Sequence, residues 1–212
     1  MEKKILICGH RSFVATGLIN KFKTAGIDFD CFSRGKEERN GNVVTGDVFL
    51  MHQNSELSEN YDTVVNYILL KGKSVEENIQ YCQSLLQFCK DKHVKNLIQI
   101  SSISVYPNES LEVDETSAIE EDYHNKGGYA SIKVAVDHYL MEHPIGGLQV
   151  SFVRPGYIYT KNQVISKAGI LVSKFGLNIL LGDKRTTLPL ICREKIHEAL
   201  LRIIQTDKKE SV

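Results

Sequence analysis

The sequence predicts an α/β fold built on a doubly wound parallel sheet. Three observations carry that prediction. Short apolar runs with strand character alternate with longer runs at helical spacing. Most of the strand-like runs stop at a glycine, a proline or a short polar residue. The 212 residues are enough for one real core but leave little room for a second large domain.

The elements follow in order. Lys4–Cys8 is an apolar run that ends at Gly9. Residues 13–25 have helical spacing and stop at Gly26. Residues 29–33 form a second strand, followed by the turn-prone Arg34-Gly35. Residues 42–45 give a third strand, closed by Gly46-Asp47, and residues 63–67 a fourth. Ser74-Val-Glu-Glu77 is a capping box, after which Ile79, Cys82, Leu85, Leu86 and Cys89 fall on one helix face. A fifth strand spans 96–101, a helix spans 130–141, and a sixth strand over 148–154 halts at Pro155-Gly156. A last helix is expected over 193–204. The stretch 107–128 is rich in acidic and turn-forming residues and reads as either a functional or a disordered loop.

Composition narrows the function. Lys+Arg and Asp+Glu are both 26, so the formal charge is zero, which argues against binding to nucleic acid or an anionic membrane. No apolar run approaches the ~20 residues of a membrane span, and the N-terminus lacks the features of a signal peptide. A cytoplasmic location is the expectation. The five scattered cysteines read as reduced core residues, and no spacing supports a metal site.

Ligands of such sheets bind beyond the carboxyl ends of the strands. Gly9-His-Arg11-Ser12-Phe13-Val14-Ala15-Thr-Gly17 sits after the first strand, where a dinucleotide's pyrophosphate would meet backbone N–H groups. Ser12 and Ala15 replace two glycines of a Gly-x-x-Gly-x-x-Gly loop, and alone the segment reads equally as an ordinary turn. Ser33-Arg34 ends the second strand. An NAD site usually has an acidic residue there, whereas a hydroxyl and a guanidinium suit a 2′-phosphate. Arg11 would add positive charge, and Asp47-Val48 follows the third strand where adenine would lie. The rival reading of Arg34 and Asp47 is that of solvated turn residues.

Tyr129-Ala-Ser-Ile-Lys133 places a phenol and an amine four residues apart on one helix face. A nearby ammonium favours a phenolate and so brings a tyrosine toward acid–base work. The same spacing also occurs on plain helix surfaces.

These residues, with Gly46-Asp47-Val48, Asn78, Ser101-Ser102-Ile-Ser104-Val-Tyr106 and Arg154-Pro155-Gly156-Tyr-Ile-Tyr159, resemble the extended short-chain dehydrogenase/reductase family. That family comprises NAD(P)-dependent sugar epimerases, dehydratases and reductases with a Rossmann-type sheet. The resemblance covers about residues 3–155. It implies that Ser102 hydrogen-bonds the reacting oxygen, Tyr129 exchanges a proton with it, and Lys133 holds the nicotinamide ribose and lowers the Tyr129 pKa. Ser104 is the rival hydroxyl and a candidate substrate contact. NADP is the expected cofactor, with NAD possible. Gly9, Arg11, Ser12, Phe13, Val14, Ser33, Arg34, Asp47, Val48 and Lys133 are its expected contacts.

The resemblance further implies residues 1–155 as the cofactor domain bearing the catalytic residues. Residues 156–212 then form a small substrate-binding region of the same compact unit. Arg185 is the candidate contact for a nucleotide-sugar diphosphate, against a solvated loop arginine. A homodimer is the expected assembly. The substrate is expected to be a nucleotide sugar, reduced or epimerised at a keto group. A non-catalytic NAD(P)H sensor of the same fold is the alternative. Two departures stand out: Ile68-Leu69 where the family has small residues after the fourth strand, and Asn125-Lys-Gly-Gly128 before Tyr129.

Overall fold

The computed structural model describes residues 4–57, 61–108, 112–160, 171–174, 177–180 and 189–205. The chain folds as two units, one over Met1–Arg154 and one over Pro155–Lys208.

The first unit is a seven-stranded sheet. Its strands are β1 (Lys4–Cys8), β2 (Phe29–Arg34), β3 (Glu38–Asn40), β4 (Val43–Gly46), β5 (Tyr61–Asn66), β6 (Asn96–Ile100) and β7 (Gln149–Val153). Their order is β3-β4-β2-β1-β5-β6-β7, and only β3 runs antiparallel. The chain winds outward from β1 through β2 and β4, then returns to β5 on the other side. The switch point therefore lies between β1 and β5. The sheet is Rossmann-type, as the alternating runs predict.

Among the described residues three α-helices serve this unit: α1 (Leu18–Thr24), α2 (Val75–Asp91) and α3 (Gly128–Glu142). One core joins Leu6, Phe32, Val64 and Leu97 of the strands to Tyr81, Leu85 and Phe88 of α2 and Val136 and Leu140 of α3. The alternate strand residues Ile5, Ile7, Cys31, Val65 and Ile98 are buried as well. A sheet buried on both faces explains why these strands are continuous apolar runs rather than alternating ones.

Two devices set the edges of the site. Ser74 accepts from Glu77 N at 3.2 Å while Glu77 Oε2 accepts from Ser74 N at 2.9 Å, so α2 begins where its capping box predicts. The first helix differs from its expectation over 13–25. Ser12 Oγ caps a single turn by accepting from Ala15 N at 3.2 Å. Gly17 then takes φ +93°, and α1 starts only at Leu18. A left-handed residue breaks the ladder that the apolar spacing alone would continue.

At the amino ends of the strands, Asp30 is buried and accepts from Tyr61 Oη (2.5 Å), Arg39 Nη2 (3.1 Å) and Lys4 Nζ (3.2 Å). Burial pushes its carboxyl up, but the bonds from Arg39, Tyr61 and Lys4 together outweigh that and hold it below the usual value. This cluster ties the edge strand β3 to β2 and β5, away from the strand ends that face the site.

The second unit holds β8 (Tyr157–Tyr159) paired in parallel with β11 (Leu190–Cys192), β9 (Leu171–Lys174) paired antiparallel with β10 (Leu177–Leu180), and α4 (Arg193–Gln205). Gly156 lies so close to Pro189 that a Cβ there would meet its carbonyl oxygen, so only glycine fits. Among the described residues no helix is long and apolar enough to cross a membrane.

Candidate active site

The carboxyl ends of β1, β2 and β5 surround the switch point. Gly9 takes φ +81° there, and a Cβ on it would stand 3.0 Å from Ile68 Cγ1 and 3.1 Å from Ile68 N. The bulky Ile68 therefore packs directly on the glycine loop. Asn66 fixes it in place by accepting from Ile68 N at 3.1 Å, while also bonding Gln99 and Tyr81. Asn78 of α2 pins the next stretch through Leu70 N (2.9 Å) and Ser74 O (2.8 Å).

Among the described residues, three buried polar atoms at these strand ends have no partner: His10 Nδ1, Ser33 Oγ and Tyr67 Oη. Buried polar groups are normally satisfied, so such a cluster marks a place for a ligand's polar atoms. The residues present thus fit a dinucleotide over β1, β2 and β5. Arg11 and Arg34 are exposed beside them, and Phe13 is 41 % exposed. Ser12 and Val14 are half-buried in the capped turn. Asp47 caps the short 3₁₀ helix Val48–Gln53 by accepting from Phe49 N at 2.9 Å. Val48 is packed in the core and presents no free side chain to a ligand. Sequence reasoning passed over His10 and marked Tyr67 only as a residue at the end of its strand. Their position at the ends of β1 and β5 was the available signal.

The reacting groups sit at the ends of β6 and on α3. Ser102 follows β6 and caps the turn Ile103–Val105 by accepting from Ser104 N. Ser104 Oγ also donates to Ser102 Oγ at 3.0 Å. Tyr129 opens α3, and its phenol lies close enough to the Ser102 side chain to be influenced by it. Lys133 lies one turn further on, 3 % exposed, with Nζ 5.8 Å from the Tyr129 ring centre. The structure therefore brings Ser102, Ser104, Tyr129 and Lys133 together. Arg185 lies outside the described residues.

The electrostatics differ from the expectation in one respect. Tyr129 is 48 % exposed overall, yet desolvation pushes its phenol above the usual value, Ser102 pulls it back, and the Asp137 carboxylate raises it again. The expected lowering by Lys133 is not present. Lys133 Nζ instead donates to the Ile100 carbonyl at 2.6 Å, and burial lowers its own pKa to about 8. Asp137, one more turn along α3, accepts from Ser101 Oγ (2.9 Å) and Arg154 Nε (3.0 Å). It too was missed. An acidic residue inside an apolar helix face, at Lys133 plus four, was the signal.

A groove of about 680 Å³ opens beside Tyr129. The connection Leu69–Val75 forms one wall, including Lys71 and Lys73, and Gly128, Tyr129, Ser131 and Ile132 form the other. The loop over 107–128 is partly anchored near it: Lys126 Nζ donates to Tyr106 O and Asn108 Oδ1, each at 2.6 Å.

The model of the NAD-dependent epimerase/dehydratase family matches residues 5–206. The chain belongs to that family. It is thus an enzyme of the NAD-dependent epimerase/dehydratase type, among the extended short-chain dehydrogenase/reductases. No curated protein sequence matches this family member. Solved structures match it in fold. The UDP-N-acetylglucosamine 4-epimerase of Bacillus cereus superposes with a TM-score of 0.72 at 18 % identity, covering 99 % of this chain and 76 % of that one. The UDP-glucuronic acid 4-epimerase of Bacillus cereus, solved with UDP-glucuronic acid and NAD, gives 0.71 at 19 %, covering 97 % and 74 %. Vestitone reductase from alfalfa (Medicago sativa) gives 0.71 at 15 %, covering 98 % and 74 %. This epimerase/dehydratase family member therefore spans about three-quarters of each of those chains.

Proposed function

We propose that the chain is an NAD(P)-dependent oxidoreductase or epimerase acting on a keto group of a nucleotide-activated sugar. The observation that carries this reading is the contact between Ser102 and Tyr129, one helical turn from the buried Lys133. The cofactor supplies hydride exchange with the substrate carbon. Tyr129 exchanges a proton with the substrate oxygen, and its raised phenol favours the protonated, donating form. Ser102 donates a hydrogen bond to the same oxygen and stabilises the charge that develops on it. Lys133 holds a positive charge beneath them and is the proposed contact for the cofactor's ribose. His10, Ser33 and Tyr67 offer the cofactor polar atoms that have no partner among the described residues. NADP is the preferred cofactor, on the strength of Ser33 and Arg34.

Two observations support a nucleotide sugar. The groove beside Tyr129 has the volume of a small-molecule site, and Lys71 and Lys73 give one wall positive charge. The epimerases named above act on UDP sugars. Arg185 is the proposed diphosphate contact.

The test is a panel of UDP sugars incubated with NAD and NADP in both redox states, with products resolved by chromatography. Turnover is expected on at least one sugar, and Tyr129→Phe is expected to lower it by about 10²–10⁴-fold while cofactor binding survives. Wild-type rates in the Phe variant would sink the assignment of Tyr129. Binding of cofactor with no turnover of any sugar would favour the non-catalytic sensor.

A further inference from the structure

Asp137 is fully buried on α3, four residues beyond Lys133 and eight beyond Tyr129. All three residues thus share one face of the helix. Asp137 Oδ2 accepts from Ser101 Oγ at 2.9 Å and from Arg154 Nε at 3.0 Å. Its Oδ1 has no hydrogen-bond partner among the described residues. A buried carboxylate oxygen left unsatisfied is costly, and a plain structural ion pair gives no reason to keep one. Ser101 directly precedes Ser102, and Lys133 Nζ is bonded to the carbonyl of Ile100. Two successive residues at the end of β6 are thereby tied to two α3 side chains one turn apart. Tyr129, one turn earlier, faces Ser102, the next residue along.

We infer that Asp137 is a positioning residue: it holds Lys133 in its charged form and fixes α3 against the strand end that carries Ser102. This rests on the reading of Ser102, Tyr129 and Lys133 as the reacting site. The other groups facing this cluster do not replace it. Lys133 also faces Cys82 of α2 and Lys71 of the β5–α2 connection. Burial pushes the Cys82 thiol up to about 12, so it is neutral at neutral pH, and Lys71 repels the ammonium. Tyr129 is protonated there as well. Arg154, stacked 5.5 Å from the Tyr106 ring and 5.0 Å from that of Phe152, competes for the carboxylate. Asp137 is therefore the source of negative charge in the cluster. Desolvation raises its own carboxyl, and Ser101, Arg154 and Lys133 act against that.

The test reads Lys133 directly, by NMR titration of full-length protein labelled at the lysine Cε, with Lys133→Met identifying the signal. Asp137→Asn keeps the size of the side chain and an acceptor for Ser101 but removes the charge. The Lys133 midpoint is expected to fall by about one pH unit or more. Asp137→Glu is expected to restore it. An unchanged midpoint in folded Asp137→Asn protein overturns the inference. If that variant does not fold, the coupling is read from the other side, because linkage is reciprocal. In Lys133→Met, the Asp137 Cγ midpoint should rise, and an unchanged midpoint overturns the inference equally. Neither titration depends on turnover. A failed sugar panel would therefore remove the proposed reaction and leave the Lys133–Asp137 coupling measurable, whereas a failed titration would remove the coupling alone.

Discussion

Ser104 donates its hydroxyl to Ser102 Oγ across 3.0 Å, and its backbone N–H approaches the same oxygen at 3.2 Å. A hydroxyl oxygen has two lone pairs and one proton. With both lone pairs taken, the Ser102 proton is left to point at Tyr129 or a substrate oxygen. Ser104→Ala releases one constraint on that rotor. It is expected to lower kcat by about three- to tenfold, the worth of one neutral hydrogen bond, with KM nearly unchanged. Ser102→Ala is expected to cost about 10²–10³-fold, as for loss of an oxyanion donor. Steady-state kinetics on an accepted UDP sugar decides. Equal losses in the two variants would make Ser104 the reacting hydroxyl.

Lys133 makes stability depend on pH. Its folded pKa, about 8, lies below its ordinary value of 10.5, so folding disfavours the charged form. The cost is fully present below pH 8 and fades as pH rises toward the unfolded value. Between pH 7 and 9.5 the relief is about 2 kcal/mol. Urea unfolding at both pH values should show wild type gaining about that much relative to Lys133→Met. Parallel pH dependences in the two proteins would mean that Lys133 is not desolvated as the structure has it.

Cofactor choice turns on the end of β2. Arg34 is exposed there, and Ser33 Oγ is buried without a partner among the described residues. A charge-assisted bond to a 2′-phosphate is worth roughly 1.5–3 kcal/mol before desolvation losses. Calorimetric titration is expected to show tighter binding of NADP(H) than of NAD(H). Arg34→Ala should erase most of the difference while leaving NAD(H) affinity in place. Equal affinities in wild type would remove Arg34 from the cofactor site.

The sheet was legible because parallel strands buried on both faces leave unbroken apolar runs. Lys4–Cys8 was read to the residue, and the other parallel strands of that seven-stranded sheet to within two. The capping box at Ser74 placed α2 for an equally local reason. β3 was missed because three residues, Glu-Arg-Asn, carry no apolar signal. Its pairing is held by Arg39 reaching Asp30, a contact distant in sequence. The late start of α1 turns on the backbone angle of Gly17, which hydrophobic spacing does not encode. The meeting of Ser102 with Tyr129 was foreseen from a resemblance. The route of Lys133 to a backbone carbonyl was not, because main-chain acceptors leave no trace in side-chain patterns. Asp137 was overlooked for a related reason: its partners Ser101 and Arg154 sit 36 and 17 residues away.

Cys8 and Cys31 lie in neighbouring strands, and Cys82 and Cys89 lie on the face of α2 that covers the sheet; all four are at most 1 % exposed. Burial pushes the thiols of Cys31, Cys82 and Cys89 up to about 12 and raises that of Cys8 as well. Alkylation requires a thiolate that the reagent can reach, and the closed unit denies both. Cys8, Cys82 and Cys89 can be captured only while the sheet and α2 are apart, and Cys31 only when the opposite face of the sheet opens. The first unit thus carries its own clock. With reagent in excess, the speed at which these cysteines are trapped is the speed at which its core opens, and a ligand that holds the strand ends together would slow it.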